Sequence, residues 1–340
     1  MSGEVVRAFG PGRVNLIGDH VDYADGLVLP MAIHLGTTVV GTRGGDRVVL
    51  ESDAEPHPAV VRLDVDDPTA ATPSWARYVA GVVAQLRPDE GFTGSVTTTL
   101  PVGAGLSSSA ALEVAVALAL GFTGGTNELA RLAQRAEQEA SGVPCGIMDQ
   151  LSSAAGVDGA ALLMDCRSLE VRPVALPAEV EVRVVHSGQA RELAGSEYAD
   201  RRAAVEAAAA RIGPLRERAD AGELDAVDAL DDPELRRRAR HVVTEIARVR
   251  AVVDALAAGD LDAVGAAMDA SHASLRDDFE VSTPQLDALV ARLQATPGVF
   301  GARLTGAGFG GCVVALARPG ALDEGWLVRP AAGGRVSVEG

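Results

Sequence analysis

The chain has 340 residues, 47% hydrophobic and 23% charged, which suits two globular domains with sizeable cores and excludes a mainly disordered chain. Its formal net charge of −17 disfavours nucleic acid and anionic membrane as partners. All 30 Lys+Arg residues are Arg, so a Schiff-base lysine and the lysines of protein kinases and Walker A loops are excluded; a phosphate site here must use backbone N–H groups, Arg or Mg2+.

The first 65 residues read as short strands and turns, with apolar or β-branched runs at Val28–Ile33, Thr37–Thr42, Val48–Leu50 and Val60–Val65. Before them, Gly12–Tyr23 packs Arg13, Asp19, His20, Asp22 and Tyr23 into one glycine-punctuated segment. Carboxylates and an imidazole gathered in an apolar region suit the donors and acceptors of vicinal sugar hydroxyls, against the plainer alternative of a solvated loop.

Trp75–Leu86 switches to helical spacing, and a strand over Gly94–Leu100 ends at Pro101. The stretch Gly103-Ala104-Gly105-Leu106-Ser107-Ser108-Ser109-Ala110 then leads into an apolar helix, Ala110–Leu120. Glycines let the backbone approach an anion, and the helix start presents free N–H groups and the positive end of its dipole. A glycine turn with a serine cap is the alternative for this loop alone.

A helix over Asn127–Ser141 carries Glu137, and Gly142–Gln150 sets Asp149 among small and apolar neighbours. An acid in such surroundings is either ion-paired or catalytic. Phosphoryl transfer to a hydroxyl needs a group that takes or orients the proton and a cation near the developing charge, and Asp149 with Arg13 meets that need. Glu137 could reach Mg2+, although alone it reads as a surface charge. Strands follow at Ala160–Met164 and Val180–Val185, with a soft boundary near 165–180. A helix-rich half runs from Ser196 to Gln294 and the chain closes with Phe300–Leu304, Cys312–Ala317 and Trp326–Pro330. Alone, the glycine cluster Gly306–Gly311 reads as a tight hairpin; as a second loop near a phosphate it would cover the nucleotide or buttress the first loop.

Three dispersed cysteines, Cys145, Cys166 and Cys312, predict neither a disulfide framework nor a structural zinc. Met1–Arg7 lacks the features of a secretory leader, and no apolar run reaches about 20 residues, so the expected location is the cytoplasm.

Together these segments resemble the GHMP kinases, and Gly12–Tyr23 followed by Gly26–Ile33 resembles the galactokinase family among them. So do Cys145–Gln150, Ser196–Tyr198, Arg238–Val243 and Ser271–Ser282, and the resemblance spans nearly the whole chain. It implies an α/β (α+β), two-domain GHMP kinase fold, 1–170 and 171–340, with the active site in the inter-domain cleft. It also implies a sugar 1-kinase that uses ATP and Mg2+ to make galactose 1-phosphate as a monomer. By the same resemblance Asp149 and Arg13 are catalytic, and Asp19, His20, Asp22, Gly146 and Tyr198 contact the sugar. Gly103, Ala104, Gly105, Leu106, Ser107, Ser108, Ser109 and Ala110 cradle the phosphates, Trp75 and Tyr78 lie near adenine, and Ser109 and Glu137 hold the metal.

Galactokinases usually carry Glu where Asp19 stands, Thr for Val21, Asn for Ala24 and His for Arg191, so another sugar such as arabinose or an N-acetylhexosamine is an alternative substrate. A silent sugar-and-ATP sensor is a third reading, weighed against by the complete Ser107–Leu112 stretch and by Asp149. The interval between Ala317 and Trp326 is too short for the usual penultimate helix.

Overall fold

The computed structural model describes residues 4–101, 104–189 and 194–339, the side chains of 194–196 excepted. In chain order the first half runs β1 (Val5–Asn15), β2 (Leu27–Val28), β3 (Pro30–Arg43), β4 (Arg47–Ser52), β5 (Ala59–Arg62), α1 (Ala76–Leu86), β6 (Phe92–Thr98), α2 (Ser108–Ala119), α3 (Thr126–Ser141), α4 (Met148–Ala155), β7 (Ala160–Asp165) and β8 (Glu170–Ala175). The second half runs β9 (Glu181–His186), α5 (Ala194–Ile212), α6 (Leu215–Ala221), α7 (Asp225–Asp228), α8 (Pro233–Ala258), α9 (Leu261–Asp277), α10 (Pro284–Gln294), β10 (Val299–Thr305), β11 (Cys312–Ala317), β12 (Trp326–Val328) and β13 (Arg335–Glu339). No helix separates β11 from β12.

Three sheets result, with strand orders β13-β1-β3-β6-β4-β5, β10-β11-β9-β12 and β2-β7-β8. The division expected at 170/171 falls at the start of β8, which pairs along its length with β7, and β13 returns from the far end of the chain to pair with β1. The larger core joins Val14, Leu29 and Leu162 of the first half to Val243, Leu275 and Val314 of the second. A smaller core lies under the six-stranded sheet, between α1, α2 and α3.

The strand β1 is a finding that the sequence pattern hid. Gly10, Pro11 and Gly12 look like turn punctuation, yet they lie inside an eleven-residue strand whose register against β3 shifts between Pro11 and Arg13. The glycines are there for closeness. A Cβ at Gly10 would stand 2.1 Å from the Ala111 carbonyl oxygen, and one at Gly12 2.6 Å from that of Leu106. Bare backbone thus lets the start of α2 lie against β1, and the Arg13 N–H donates to Leu106 O at 3.1 Å. This closeness brings Arg13 and the loop before α2 to the same spot.

Apolar residues on nearly every side of α2 follow from its burial between the sheet and its neighbouring helices. The 26-residue α8 begins where the Asp232 carboxylate accepts the N–H groups of Glu234 and Leu235, with Pro233 at the first helical position. It ends at Gly259 in the left-handed conformation. Its length carries His241 and Glu245 under the turn that follows β1.

Candidate active site

A cavity of about 390 Å³ opens where the two halves meet. From β1 and the following turn it receives Arg13, Asp19, His20 and Asp22; from α3 to α4 come Glu137, Gly146 and Asp149; α5 supplies Tyr198. Tyr78 of α1 also lines it, whereas Trp75 does not. Trp75 is buried in the smaller core, and its indole N–H donates to His57 O at 3.1 Å.

Asp149 lies in the first turn of α4 and is the meeting point of three elements. Arg13 grips it bidentately, Nε to Oδ1 at 2.8 Å and Nη2 to Oδ2 at 2.8 Å, while Arg13 Nη1 donates to Gly105 O at 2.8 Å. The Ser107 hydroxyl donates to Asp149 Oδ2 at 2.5 Å. Ser107 adopts the left-handed conformation, φ 56°, at the end of the loop before α2, so its side chain turns to Asp149. Asp149 stays 31% exposed beside a nearly buried Arg13, which leaves a carboxylate edge facing the cavity.

Ser108 is exposed and Ser109 half-buried in the first turn of α2, whose leading N–H groups have no intrahelical acceptors. Ala104, Leu106 and Ala110 are buried beneath the loop, and Gly105 is half-buried at its surface. Gly103 falls outside the described residues, as does Arg191. The Ser109 hydroxyl donates to Glu137 Oε1 at 2.7 Å, and Gln150 Nε2 donates to Glu137 Oε2 at 2.5 Å. Burial, and then the nearby Asp149 charge, raise the Glu137 carboxyl to a pKa of about 7. A carboxyl and a hydroxyl are the hard oxygen ligands that Mg2+ takes, and Mg2+ commonly uses one or two protein ligands with substrate phosphates supplying more. The pair fits that ion, and no cluster of three or more His, Cys, Asp or Glu that could hold a metal occurs among the described residues.

The turn after β1 is held from beneath. Asp19 was expected to reach a sugar hydroxyl, but each of its oxygens already has a buried partner: Oδ2 accepts from Arg303 Nη2 at 2.5 Å and Oδ1 from Gly306 N at 3.1 Å. Only 1% of Asp19 is exposed. His241 Nε2 donates to Asp19 O at 3.1 Å, and Glu245 Oε1 accepts from Gly18 N at 3.0 Å. Burial works to raise the Glu245 pKa; Arg248, His241, Arg303 and Ser271 outweigh it and bring it to about 2. The second glycine cluster is the β10–β11 hairpin loop, and it buttresses this turn through Gly306 N and Ala307 O. Val21 is wholly buried in the larger core, so its departure from the usual Thr is a packing change.

Asp22 remains available, whereas His20 has both ring nitrogens engaged. Burial lowers His20 to about 4, so it is neutral; Nε2 then donates to Ala307 O at 3.2 Å and Nδ1 accepts from the Tyr23 hydroxyl at 3.1 Å. The rings of Tyr23 and Tyr198 stand 5.6 Å apart, that of Tyr198 also 5.5 Å from His20. Burial, and then the Asp149 charge, raise Asp22 to about 6. Its carboxylate lies so close to Gly146 that a Cβ there would be 1.8 Å from Oδ2.

Three residues escaped the sequence reading. Glu113 is wholly buried on α2, neither oxygen meets hydrogen-bond geometry with a described residue, and burial followed by the Glu137 charge holds its carboxyl well above the usual range. A single acid in an otherwise apolar helix was the available signal. Arg303 is a lone charge in an apolar strand, and Gln150 adjoins Asp149.

Comparisons agree with this geometry. The galactokinase galactose-binding signature matches residues 2–43, the GHMP kinases N terminal domain residues 77–157 and the GHMP kinases C terminal domain residues 252–326. Over 322 residues the chain is 47% identical to galactokinase of Homo sapiens and 46% to that of Canis lupus familiaris, covering 90% of this chain and 82% of each relative. The crystal structure of Lactococcus lactis galactokinase complexed with galactose superposes with a TM-score of 0.87 at 33% identity, over 97% of this chain and 95% of that one. Methanococcus jannaschii mevalonate kinase shares the fold, with a TM-score of 0.66 at 20% identity over 93% of this chain and 91% of that one.

Proposed function

The chain belongs to the galactokinase family of the GHMP kinases, and on that premise we propose how its own residues carry out the transfer. The reaction is the ATP-dependent phosphorylation of galactose to galactose 1-phosphate. Galactose is therefore the substrate despite the departures at Asp19, Val21 and Ala24.

In our reading Asp149 accepts the hydrogen bond of the galactose anomeric hydroxyl and takes its proton as the oxygen attacks the γ-phosphorus. Arg13 holds Asp149 aimed, and its charge offsets the negative charge gathering at the attacking oxygen. The Ser107 hydroxyl fixes which carboxylate oxygen remains free. Asp22 receives ring hydroxyls of the sugar, Tyr198 and Gly146 shape its pocket, and His20 and Asp19 act by holding the turn. Backbone N–H groups of the loop and the α2 start take the phosphates, with Ser108 beside them. Ser109 and Glu137 would hold Mg2+, which when bound neutralises phosphate charge in transfers of this kind. The reading extends to the cytoplasm, where ATP is available, and to a division at about residue 170 with β13 lent back to the first sheet. Among the described residues no helix is long and apolar enough to cross a membrane.

The observation that carries this reading is the three-way contact of Asp149 with Arg13 and Ser107 at the mouth of the α2 loop. ATP made chiral at the γ-phosphorus tests it: one direct in-line transfer inverts configuration. Retention would mean a phosphoenzyme and overturn the assignment of Asp149 as base. Full turnover in EDTA would overturn the assignment of Ser109 and Glu137.

A further inference from the structure

Beside the sugar cavity lies a second one, of about 430 Å³, between α3, the β7–β8 turn and α5. Arg131 and Arg135 come from successive turns of α3, Arg167 from the β7–β8 turn and Arg202 from α5. Gln134 and Gln138 share the α3 face with the first two, as i, i+3, i+4 and i+7 spacing requires. Against four guanidinium groups the lining holds one carboxylate, Asp22. In a chain with 47 acids and 30 arginines, that balance inverts the surroundings.

The arginines are only partly committed. Arg131 has no hydrogen bond or ion pair among the described residues, and Arg167 meets Asp25 only at 3.8 Å. Arg135 spends Nε on Gln85 Oε1 at 2.6 Å, and Arg202 spends Nε on Glu206 at 2.8 Å and Nη1 on Pro144 O at 2.6 Å. Each guanidinium carries five N–H donors, so donors remain on all four. Gln134 and Gln138 direct their amide N–H groups to Cys145 O, at 3.2 and 2.8 Å, which turns their carbonyl oxygens into available acceptors.

We propose that this cavity binds a small phosphomonoester, with the guanidinium groups on the phosphate and the glutamine carbonyls on hydroxyls of the attached group. Guanidinium forks match phosphate oxygens in geometry and charge. The volume admits a molecule of sugar-phosphate size, and the strongly acidic chain around it repels a polyanion. The cavity shares Asp22, Cys145 and Gly146 with the catalytic one, and no side chain at Gly146 separates them. A bound anion therefore sets a second negative charge near Asp22 and engages Arg202, which interacts with it, so galactose binds less tightly while the chemical step is unchanged. This second half rests on the assignment of Asp22 to the sugar; the binding site itself does not.

The test is calorimetry on the full chain saturated with galactose, Mg2+ and a non-hydrolysable ATP analogue, so that the catalytic cavity is filled. Inorganic phosphate and glucose 1-phosphate are titrated in separate arms. Saturable binding is expected, weakened about ten-fold or more in R131Q/R167Q, whose melting temperature matches the parent. Tighter glucose 1-phosphate assigns the cavity to the ester and supports the proposal; equal affinity in both arms assigns it to phosphate alone and overturns the role of the glutamine carbonyls. No binding in either arm, or equal binding by R131Q/R167Q, overturns it. In steady-state assays glucose 1-phosphate should raise the galactose KM more in the parent than in R131Q/R167Q, at constant kcat. Binding without that difference removes the coupling. If D22N binds galactose normally, the sugar assignment fails while the titration still reads the site.

Discussion

Two arginine–aspartate pairs stand at one cavity, with Arg13, Asp149 and Asp19 lining it and Arg303 behind Asp19, and their surroundings give them different work. Arg13 and Asp149 are joined by two bonds of 2.8 Å, and Asp149 keeps 31% of its side chain exposed. Arg303 and Asp19 are joined at 2.5 Å, with 0% and 2% of their side chains exposed. A paired carboxylate that still faces a ligand can exchange a proton with it. A sealed one can only hold its neighbours in place, here the turn after β1 against the β10–β11 loop. Chemistry of the side chains does not separate these roles; access does.

The sharpest way to break the comparison is to neutralise each carboxylate or its partner. Asp149→Asn keeps its volume and a hydrogen bond from Arg13, so folding and ATP binding should persist while kcat falls about 10²–10⁴-fold. Near-normal kcat with a lowered melting temperature would make Asp149 a structural partner like Asp19. Arg303→Met should do the reverse. It leaves Asp19 buried without its cation, which costs about 3–5 kcal/mol in a denaturant titration. The double variant Asp19→Asn with Arg303→Met should recover part of that loss, and a loss under about 1 kcal/mol in Arg303→Met would show that the sealed pair is not needed.

Ser107→Ala is a finer probe of the exposed pair. It removes one hydrogen bond to a charged oxygen, of about 1.5–3 kcal/mol, and leaves the Arg13 fork in place. Turnover should fall about ten-fold with the galactose KM little changed. An equal loss in KM alone would place Ser107 with substrate binding.

How much of this was legible beforehand follows from the same distinction. Arg13, Asp149, His20, Asp22 and Glu137 sit in short motifs where polar groups interrupt apolar sequence, and the cavity gathers them. The strand β1 was not legible, because Gly10 and Gly12 answer to the approach of Ala111 and Leu106 about a hundred residues away. The tie between Asp19 and Arg303 crosses 284 residues, so no local pattern contains it. Trp75 was expected near adenine by the family resemblance alone; its side chain packs in the smaller core. Glu113 shows the limit most clearly, since its buried oxygens acquire meaning only beside Glu137 and Gln150.

The smallest effect concerns pH, and here binding and stability should move in opposite directions. Burial and the Asp149 charge raise Asp22 to about 6, from 3.8 in the open chain. Below the open-chain value this group's contribution to stability is fully present, and it is lost as pH rises through about 6 in the empty protein. In the proposed assignment galactose binds the ionised form, whose oxygens accept from its hydroxyls. From about pH 7 to about pH 5 the ionised fraction falls roughly ten-fold, so the galactose KM should rise several-fold over that range. Asp22→Asn cannot ionise, so its galactose KM should be raised and nearly flat with pH, and its stability should lack the gain on acidification. Glu137, raised to about 7 by burial and the Asp149 charge, is common to both proteins, so the difference between them isolates Asp22. A galactose KM with the same pH profile in both would show that Asp22 is sealed in function as Asp19 is in structure.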